Sequence, residues 1–434
     1  MGEIIRMTRS VCPVCLRNLP AQLVRAEDGQ IRMEKTCPEH GPFRVPVWRG
    51  QIDFDQWVLG AEELPENAGR HCPARCGLCN EHETETCCIL LEVTNRCNLR
   101  CRFCFAEGGA SETDPSAEEC RAAIRDIARQ CGKPLIQFSG GEPTLRDDLP
   151  ELIRFAKETG CSYTQVNTNG IRLAEDPDYV RQLADAGLDI VFLQFDGTRE
   201  EIYEKLRGTP LLEKKLKAVR VCSDYQLGVT LVPTVVPGVN DDDLGNIVAL
   251  AKDLVPAVRG VHFQPVSYFG RYPEPPEEAD RYTLDQLMAD ISRQAGISTE
   301  CFLPSRCDHP LCGFHAGFLI GSDGELKPLT SIARARRTRG SARDNREYIA
   351  GRWRRTPERT ASEPNFSEEM DFDTFLYMVR HRNLTLSAMA FQDAGNLNME
   401  RLHRCSLHVY AKGKIVPFCA RYLSRAKFPL SRKQ

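Results

Sequence analysis

The chain of 434 residues contains no run of 18 or more apolar residues, which excludes a membrane-spanning helix. Its first ten residues, Met1 to Ser10, lack an apolar stretch of the signal-peptide kind, so no export signal is predicted. Charge of one sign is also scarce. The formal net charge is −3 and the pI is near 6.4, which gives no global attraction to nucleic acid or to an anionic membrane. Together these absences predict a cytoplasmic protein. Cysteine, by contrast, is abundant. Twenty cysteines in a chain with no export signal argue against a disulfide framework and for metal or cluster ligation. The length suggests two or three units, and 41% hydrophobic residues suffice for a sizeable core.

Not every thiol is needed as a ligand. Cys120 and Cys131 share a helical face with Ile124 and Ile127 and read as core residues, and Cys161 and Cys222 read as structural. The remaining cysteines fall into four groups. Cys97, Cys101 and Cys104 have C-x3-C-x2-C spacing and fit into one loop that converges on one centre. A cubane cluster normally takes four Cys ligands, so three leave one iron open to a group that is not protein. Zinc knuckles more often use C-x2-C pairs. Cys72, Cys76 and Cys79 repeat the spacing, with Cys87 and Cys88 following. A fourth thiolate is then at hand, which favours a fully ligated auxiliary [4Fe-4S] cluster. Cys87 is the expected fourth ligand, because Cys88 begins a strand and should point into the sheet.

Cys307 and Cys312 form the third group with Cys405 and Cys419. Strands at Ser406 to Val409 and Ile415 to Phe418, turning at Lys412-Gly413-Lys414, bring the last two together. The expectation is a second auxiliary cluster, with zinc as the alternative and Cys301 as a spare thiol. At the N-terminus stand Cys12-Pro13-Val14-Cys15 and Cys37-Pro38-Glu39-His40. A hairpin turning at Asp28-Gly29 returns both pairs to one place. Cys12, Cys15, Cys37 and His40 then make a tetrahedral set for zinc or a rubredoxin-like mononuclear iron.

From residue 88 to about 267, short apolar runs alternate with amphipathic stretches. Strands are predicted at 88–94, 135–139, 163–167, 189–195, 228–236 and 260–266. Helices are predicted between them, the first opened by Asp114 as N-cap with Pro115 at the first helical position. Six alternating repeats imply an α/β fold with a parallel sheet, too few for a closed eight-fold barrel. In such folds function sits at the C-terminal ends of the strands. Gly140-Gly141-Glu142-Pro143 follows the second strand, where glycine lets the backbone approach a ligand. Asn167 and Asn169 end the third strand, with amides suited to ribose hydroxyls, although Asn169-Gly170 is also an ordinary turn. Gln194 and Asp196 end the fourth strand, as buried polar groups that need partners. His262, near the end of the sixth, reads as a core or surface residue. The boundaries expected are a metal hairpin at 1–50, a cluster loop at 70–88, the core at 88–270 and a cluster-binding C-terminal part at 271–434.

The three-Cys loop with Phe103 before its last Cys, and Gly140-Gly141-Glu142-Pro143 one strand later, resemble the radical SAM superfamily. The resemblance implies a partial (β/α)6 barrel whose open iron binds S-adenosylmethionine. It further implies reductive cleavage to a 5′-deoxyadenosyl radical, with Glu142 accepting a hydrogen bond from the methionine ammonium. It also implies an electron donor such as flavodoxin or ferredoxin. The run from Cys72 through Cys104, with the N-terminal Cys pairs, resembles the family that includes archaeal tetraether lipid synthase. That enzyme has two auxiliary clusters and a mononuclear metal site, and it forms C–C bonds. The segment Arg259 to Arg271 resembles the bacterial TrsS branch of that family. The implied function is a radical SAM oxidoreductase or bond-forming enzyme of unknown substrate. Radical modification of tRNA, peptide or lipid and a non-catalytic iron–sulfur electron carrier are the alternatives.

One stretch departs from compact structure. Ten arginines lie between Arg334 and Arg359, and residues 331–365 read as a solvated or disordered insertion. A patch for RNA or anionic lipid headgroups is the weaker reading, since only Tyr348 and Trp353 interleave and no RNA-binding motif accompanies them.

Overall fold

The computed structural model of the chain describes residues 2–59, 69–73, 77–109, 114–329, 340–355 and 372–423. Alternating burial organises the N-terminal strands. β1 (Glu3–Val11), β2 (Asn18–Arg25), β3 (Ile31–Cys37) and β4 (Gly41–Trp48) form an antiparallel sheet in that order. In β3, Ile31, Met33, Lys35 and Cys37 face inward and the residues between them do not, the period of two of a half-buried strand. The expected Asp28-Gly29 turn joins β2 to β3, with Gly29 at φ 81°. The buried Lys35 fastens this sheet to the rest of the chain. Its Nζ donates to Ser10 Oγ at 2.8 Å and to the carbonyls of Ala394 and Gly395 at 2.9 and 2.7 Å.

The central strands are β5 (Cys88–Thr94), β6 (Leu135–Gly140), β7 (Tyr163–Thr168), β8 (Ile190–Gln194), β9 (Gly228–Val232), β10 (Thr234–Val235) and β11 (Val258–Pro265). β5, β6, β7, β8, β9 and β11 pair in parallel, each beside the next. β6 and β9 are buried along their whole length, as strands covered on both faces must be. The fifth predicted strand breaks at Pro233, and its second piece, β10, pairs with the end of β11. A Pro in the ladder offers no N–H, which accounts for the break.

Two helix expectations are corrected. The first helix, Ala117–Cys131, is capped by Ser116 and not by Asp114. Ser116 and Glu119 form a reciprocal capping box. Asp114 instead accepts from Thr94 Oγ1 at 2.6 Å and from Arg96 Nε at 2.7 Å. The helical stretch near 199–222 is two helices, Glu200–Arg207 and Leu212–Asp224, with Gly208 ending the first in a left-handed conformation.

The C-terminal part contributes β12 (Leu303–Pro304), β13 (Gly313–Ile320), β14 (Leu326–Pro328), β15 (Asn383–Met389), β16 (Leu407–Ala411) and β17 (Lys414–Pro417). β15 lies parallel to β11 and β16 lies parallel to β5. The C-terminal chain therefore extends both edges of the central sheet. β13 and β17 then pair antiparallel on the outside. Among the described residues no helix is long and apolar enough to cross a membrane.

The Arg-rich stretch is corrected where it is described. Residues 342–353 form the helix Ala342–Trp353, with a Ser341–Asp344 capping box. Arg346 donates to the Thr86 carbonyl at 2.7 Å, and the buried Trp353 ring sits 5.5 Å from Phe192 and 5.6 Å from His262. The remainder of 331–365 lies outside the described residues.

Lys35→Met should destabilise the protein. It leaves the Ala394 and Gly395 carbonyls without their donor, at about 1–3 kcal/mol for a buried group stripped of its partner. Urea unfolding measures it, and a loss below about 0.5 kcal/mol would show that the contact contributes nothing.

Candidate active site and metal centres

The loop leaving β5 carries Cys97, Cys101 and Cys104, and all three line one cavity of about 260 Å³. Four contacts fix the loop. Gly141 N–H donates to the Thr94 carbonyl at 2.8 Å and Glu142 N–H to the Arg96 carbonyl at 2.7 Å. Cys104 exchanges two backbone hydrogen bonds with Arg271, each 2.9 Å. The Arg271 guanidinium adds bonds to the carbonyls of Cys101 and Gly108, at 2.9 and 3.2 Å. Phe103 stands edge-on to Tyr268. A Cβ on Gly140 would lie 2.1 Å from Thr94 O, and one on Gly141 would lie 2.1 Å from Arg96 O. The glycines are required by the approach of two loops to each other, in addition to any approach to a ligand. Pro143 opens a short 3₁₀ turn beyond them.

Glu142 is buried and acts as a hub. Its Oε1 accepts from Thr144 N at 3.1 Å, Thr144 Oγ1 at 2.6 Å and Thr168 Oγ1 at 2.6 Å. Its Oε2 accepts only from Asn169 N, at 2.7 Å. A carboxylate oxygen has capacity for more than one donor, so Oε2 keeps a position toward the cavity. Asn169 makes the turn and also a contact with the cysteine loop. Its Oδ1 accepts from Ile171 N at 3.0 Å, a local turn, and its Nδ2 donates to Asn98 Oδ1 at 2.7 Å, in the cysteine loop. Asn167 is half-buried, with Nδ2 3.4 Å from Ser139 Oγ.

Asp196 is fully buried and paired twice with Arg207, at 2.7 and 2.6 Å. Gln194 donates to Asp196 and accepts from Lys215 Nζ at 2.7 Å. Asp196 is thereby a structural partner, with Arg207 and Gln194 facing the cavity. Burial opposes the Arg207 charge, but Asp196 and Cys101 hold it charged. Burial pulls Lys215 down to about 7. Burial, with Glu142, Cys101 and Cys104 nearby, pushes the Cys97 thiol up to about 12. Three thiols converging beside a carboxylate form a donor set that fits a cationic centre.

The cavity runs from this loop through the sheet interior. Gln137, Gln165, Asn167, Gln194, Gln264 and His262 supply polar groups, and Phe192, Trp353 and Phe391 supply ring faces. His262 Nδ1 lies 2.9 Å from Ser387 Oγ, and burial pulls the imidazole down to about 3, so it is neutral. Asn345 and Trp353 of the Ala342–Trp353 helix line the far end, near Cys87 and Cys88. Arg207, Lys215 and Thr168 were not singled out from sequence, and Arg271 entered only as part of the segment Arg259 to Arg271. Each is an ordinary helix, loop or strand residue until the fold turns it inward.

The other cysteine groups are partly regrouped. Cys12, Cys15, Cys37 and His40 come together as expected. His40 Nδ1 is 3.6 Å from Cys12 Sγ and 3.4 Å from Cys37 Sγ, and the Cys15 and Cys37 sulfurs are 4.0 Å apart. Bonds of about 2.3 Å to sulfur and about 2.0–2.1 Å to nitrogen around one tetrahedral ion give edges of this size. Cys72 is buried beside His403 and Glu81, Cys79 is exposed, and Cys76 lies outside the described residues.

Cys87 is placed beside Cys307. Its thiol stands within hydrogen-bond reach of Cys307, and Asn345 Nδ2 is 3.4 Å away. The physical reason is that Cys87 N–H is tied to the Ser406 carbonyl ahead of β5, and Ser406 Oγ is itself 3.2 Å from Cys307 Sγ. Cys312, Cys405 and Cys419 lie close enough to influence one another's charge, with Arg401 Nε 3.4 Å from Cys312 Sγ. Asp308 stands near Cys307, Cys312 and Cys405. Cys88 lines the cavity, and the spare Cys301 packs in the main apolar core.

Comparison with known proteins fits this geometry. The family model of the radical SAM superfamily matches residues 91–251, and that of the HMPTM N-terminal zinc ribbon domain matches residues 4–49. The protein is thus a radical SAM enzyme with an N-terminal metal-binding module. The 7,8-dihydro-6-hydroxymethylpterin dimethyltransferase of Methanocaldococcus jannaschii is 33% identical, over 95% of this chain and 92% of that protein. The chain belongs to the same family as that dimethyltransferase. The Fe-coproporphyrin III synthase of Methanosarcina barkeri is 32% identical over 48% of this chain and 49% of its own length. Among solved structures, Streptococcus suis SuiB bound to S-adenosylmethionine aligns with a TM-score of 0.38 and 15% identity, covering 46% of this chain and 44% of SuiB.

Gly141→Ala should displace the cysteine loop, because the added Cβ meets backbone at 2.1 Å. Overpacking of this kind costs about 1–3 kcal/mol. The expected result is loss of the SAM-dependent shift in the EPR signal of the reconstituted protein. An unchanged shift would show that loop and turn are independent.

Proposed function

We propose that the chain is a radical SAM methyltransferase that forms C–C bonds on a reduced pterin or a close heterocyclic analogue. The observation that carries the reading is the amide-lined chamber opening directly beside the Cys97 loop. An aminopyrimidinone edge alternates donors and acceptors, and Gln and Asn amides offer both. Phe192, Trp353 and Phe391 offer faces for a planar ring. The chamber is close to the lower end of small-molecule sites, roughly 300–1,000 Å³, a size for a compact bicycle. The near full-length relative acts, by its name, on such a molecule.

In this reading Cys97, Cys101 and Cys104 hold a [4Fe-4S] cluster, and Glu142 Oε2, Asn169 and Gln194 face S-adenosylmethionine. Cluster and S-adenosylmethionine would together supply, when bound, one-electron reductive cleavage to methionine and a 5′-deoxyadenosyl radical for hydrogen abstraction; the methyl group would come from the S–CH3 bond of a second S-adenosylmethionine, leaving S-adenosylhomocysteine, with the added reductant supplying two electrons per methyl group transferred. The protein's own part is to orient and to exclude water. Arg207 holds the Cys101 side of the loop, Arg271 holds its backbone, and the Ala342–Trp353 helix closes the far end. Cys12, Cys15, Cys37 and His40 bind zinc or iron. Cys307, Cys312, Cys405 and Cys419, with Cys87 adjacent, form a further cluster site. An electron donor such as flavodoxin or ferredoxin, and the place of the chain in a (β/α)6 barrel class, belong to the same proposal. The narrower TrsS resemblance, carried by residues 259–271, is a second reading. Its supporting observation is that Arg271 from this segment clamps the cysteine loop.

The test is anaerobic incubation of the reconstituted enzyme with 6-hydroxymethyl-7,8-dihydropterin, S-adenosylmethionine and a strong reductant, followed by mass spectrometry. One or two added methyl groups are expected, and none with Cys97→Ala. Cleavage of S-adenosylmethionine with the pterin left unchanged would overturn the substrate assignment. Glu142→Gln should raise the apparent Kd for S-adenosylmethionine about 10- to 100-fold, through loss of a charge-assisted hydrogen bond worth roughly 1.5–3 kcal/mol. Equal affinity would remove Glu142 from the binding site.

A further inference from the structure

On the reading that the substrate is a reduced pterin or a close analogue, on which this inference rests, we propose that Gln137 and Gln165 act as one unit. The unit reads the lactam edge of the substrate, the adjacent ring N–H and C=O, and so sets which way round the ring lies in the chamber. Gln137 of β6 and Gln165 of β7 stand directly opposite each other in the parallel register, and both side chains line the chamber. Gln165 Nε2 donates to Gln137 Oε1 at 2.7 Å. The outer ends of the two amides are left over. Gln165 Oε1 is buried with no hydrogen-bond partner. Gln137 Nε2 makes no hydrogen bond among the described residues.

A primary amide has acceptor lone pairs on oxygen and two N–H donors on nitrogen. When one amide of a pair donates to the other, a free acceptor remains at one outer end and a free donor at the other. Turning both amides over together exchanges the two ends and keeps one of each. The pair therefore complements a group that offers a donor beside an acceptor, which a lactam does and a hydrocarbon or ether edge does not. A buried acceptor without a donor is costly, so Gln165 Oε1 is a poor choice for stability alone, and a ligand N–H removes the deficit. Other amides of the chamber are already engaged. Gln194 is used at both ends, by Asp196 and Lys215, and Asn167 is turned to Ser139. Depth gives the orientation. Gln137 and Gln165 each precede Ser139 and Asn167 by two residues, which sets them about 7 Å deeper in the chamber, away from the strand ends that carry the Cys97 loop. A pyrimidinone edge held there leaves the pyrazine half of the ring toward that loop. Phe192, on the adjoining β8, supplies a ring face in the same chamber.

The experiment uses the full chain, reconstituted anaerobically with iron and sulfide and kept without reductant, so that binding is read and cleavage is not. Titration calorimetry measures 6-hydroxymethyl-7,8-dihydropterin, its 3-methyl derivative, which lacks the ring N–H, and two lactams of other rings, lumazine and hypoxanthine. Wild type should bind the pterin about 10-fold or more tightly than the 3-methyl derivative. Gln137→Leu and Gln165→Leu should each weaken pterin binding by about the same factor and bind both pterins equally. The double variant removes both partners at once, so its thermal midpoint should be kept or raised. Retained pterin affinity, or retained discrimination against the 3-methyl derivative, in either single variant would overturn the proposal. A lowered midpoint with unchanged affinity would make the pair structural. Should Gln165→Leu fail to fold, Gln165→Met, unbranched and of similar shape, is read by the same criteria. If wild type binds lumazine or hypoxanthine but no pterin, and the variants lose that binding, the pair stands and the pterin reading falls. If it binds none of the lactams, both fall.

Discussion

Two backbone hydrogen bonds, from Gly141 to Thr94 and from Glu142 to Arg96, hold the cysteine loop against the turn after β6. Neighbouring parallel strands stand about 4.8 Å apart, so their exits can touch only where side chains are absent. Gly140 and Gly141 meet that condition. The contact places Glu142 beneath the loop, and its carboxylate gathers Thr144, Thr168 and Asn169. The end of β7 is thereby pinned to the end of β6. Asn169 then returns to Asn98 in the cysteine loop. The result is a closed ring of contacts through three strand ends, in which each member is held from two sides.

A second hub anchors the same loop from the opposite flank. Asp196, at the end of β8, is paired bidentately with Arg207, and both side chains are buried. Burying an ion pair removes hydration from both charges, and breaking one by deleting a partner typically costs about 3–5 kcal/mol. The arrangement is therefore a poor choice for stability alone. What it adds is position: Arg207 reaches Cys101 and Thr234 as well as Asp196. Through this one guanidinium the fourth and fifth strands are tied to the cysteine loop.

Much of this was legible in the sequence, and the parts that were not share a cause. The six central strands, the two N-terminal knuckles and the three-Cys loop are local patterns of period and spacing. Those patterns survive because each lies within a few consecutive residues. The surroundings of Cys87 were hidden for the opposite reason. Its sequence neighbours suggested the Cys72 group, but a backbone bond to Ser406 carries it to Cys307. Asp114 looked like a helix cap because Asp-Pro is a strong local signal, yet Thr94 and Arg96 compete for its carboxylate and Ser116 caps instead. The Arg-rich stretch hid a helix because its composition resembles disorder. The capping box at Ser341 and the apolar Ile349 and Trp353 were the signals that could have revealed it.

The same logic explains how the cysteine-rich periphery is built. The central sheet supplies the loops of its C-terminal edge, whereas β15 and β16 join its two opposite sides from more than a hundred residues downstream. Those late strands carry their neighbours to places that earlier residues have prepared. β16 brings Ser406 to Cys87, the Met399–His403 helix brings His403 to Cys72, and the segment at Ala394 and Gly395 receives Lys35 of the ribbon. In each case one partner comes from before the central sheet and the other from after it. Contacts divided in this way do not exist in the unfolded chain, so they form only as the fold closes. Since the last strands lie on both sides of the chamber that their neighbours line, closing these distant pairs also closes the walls around the site.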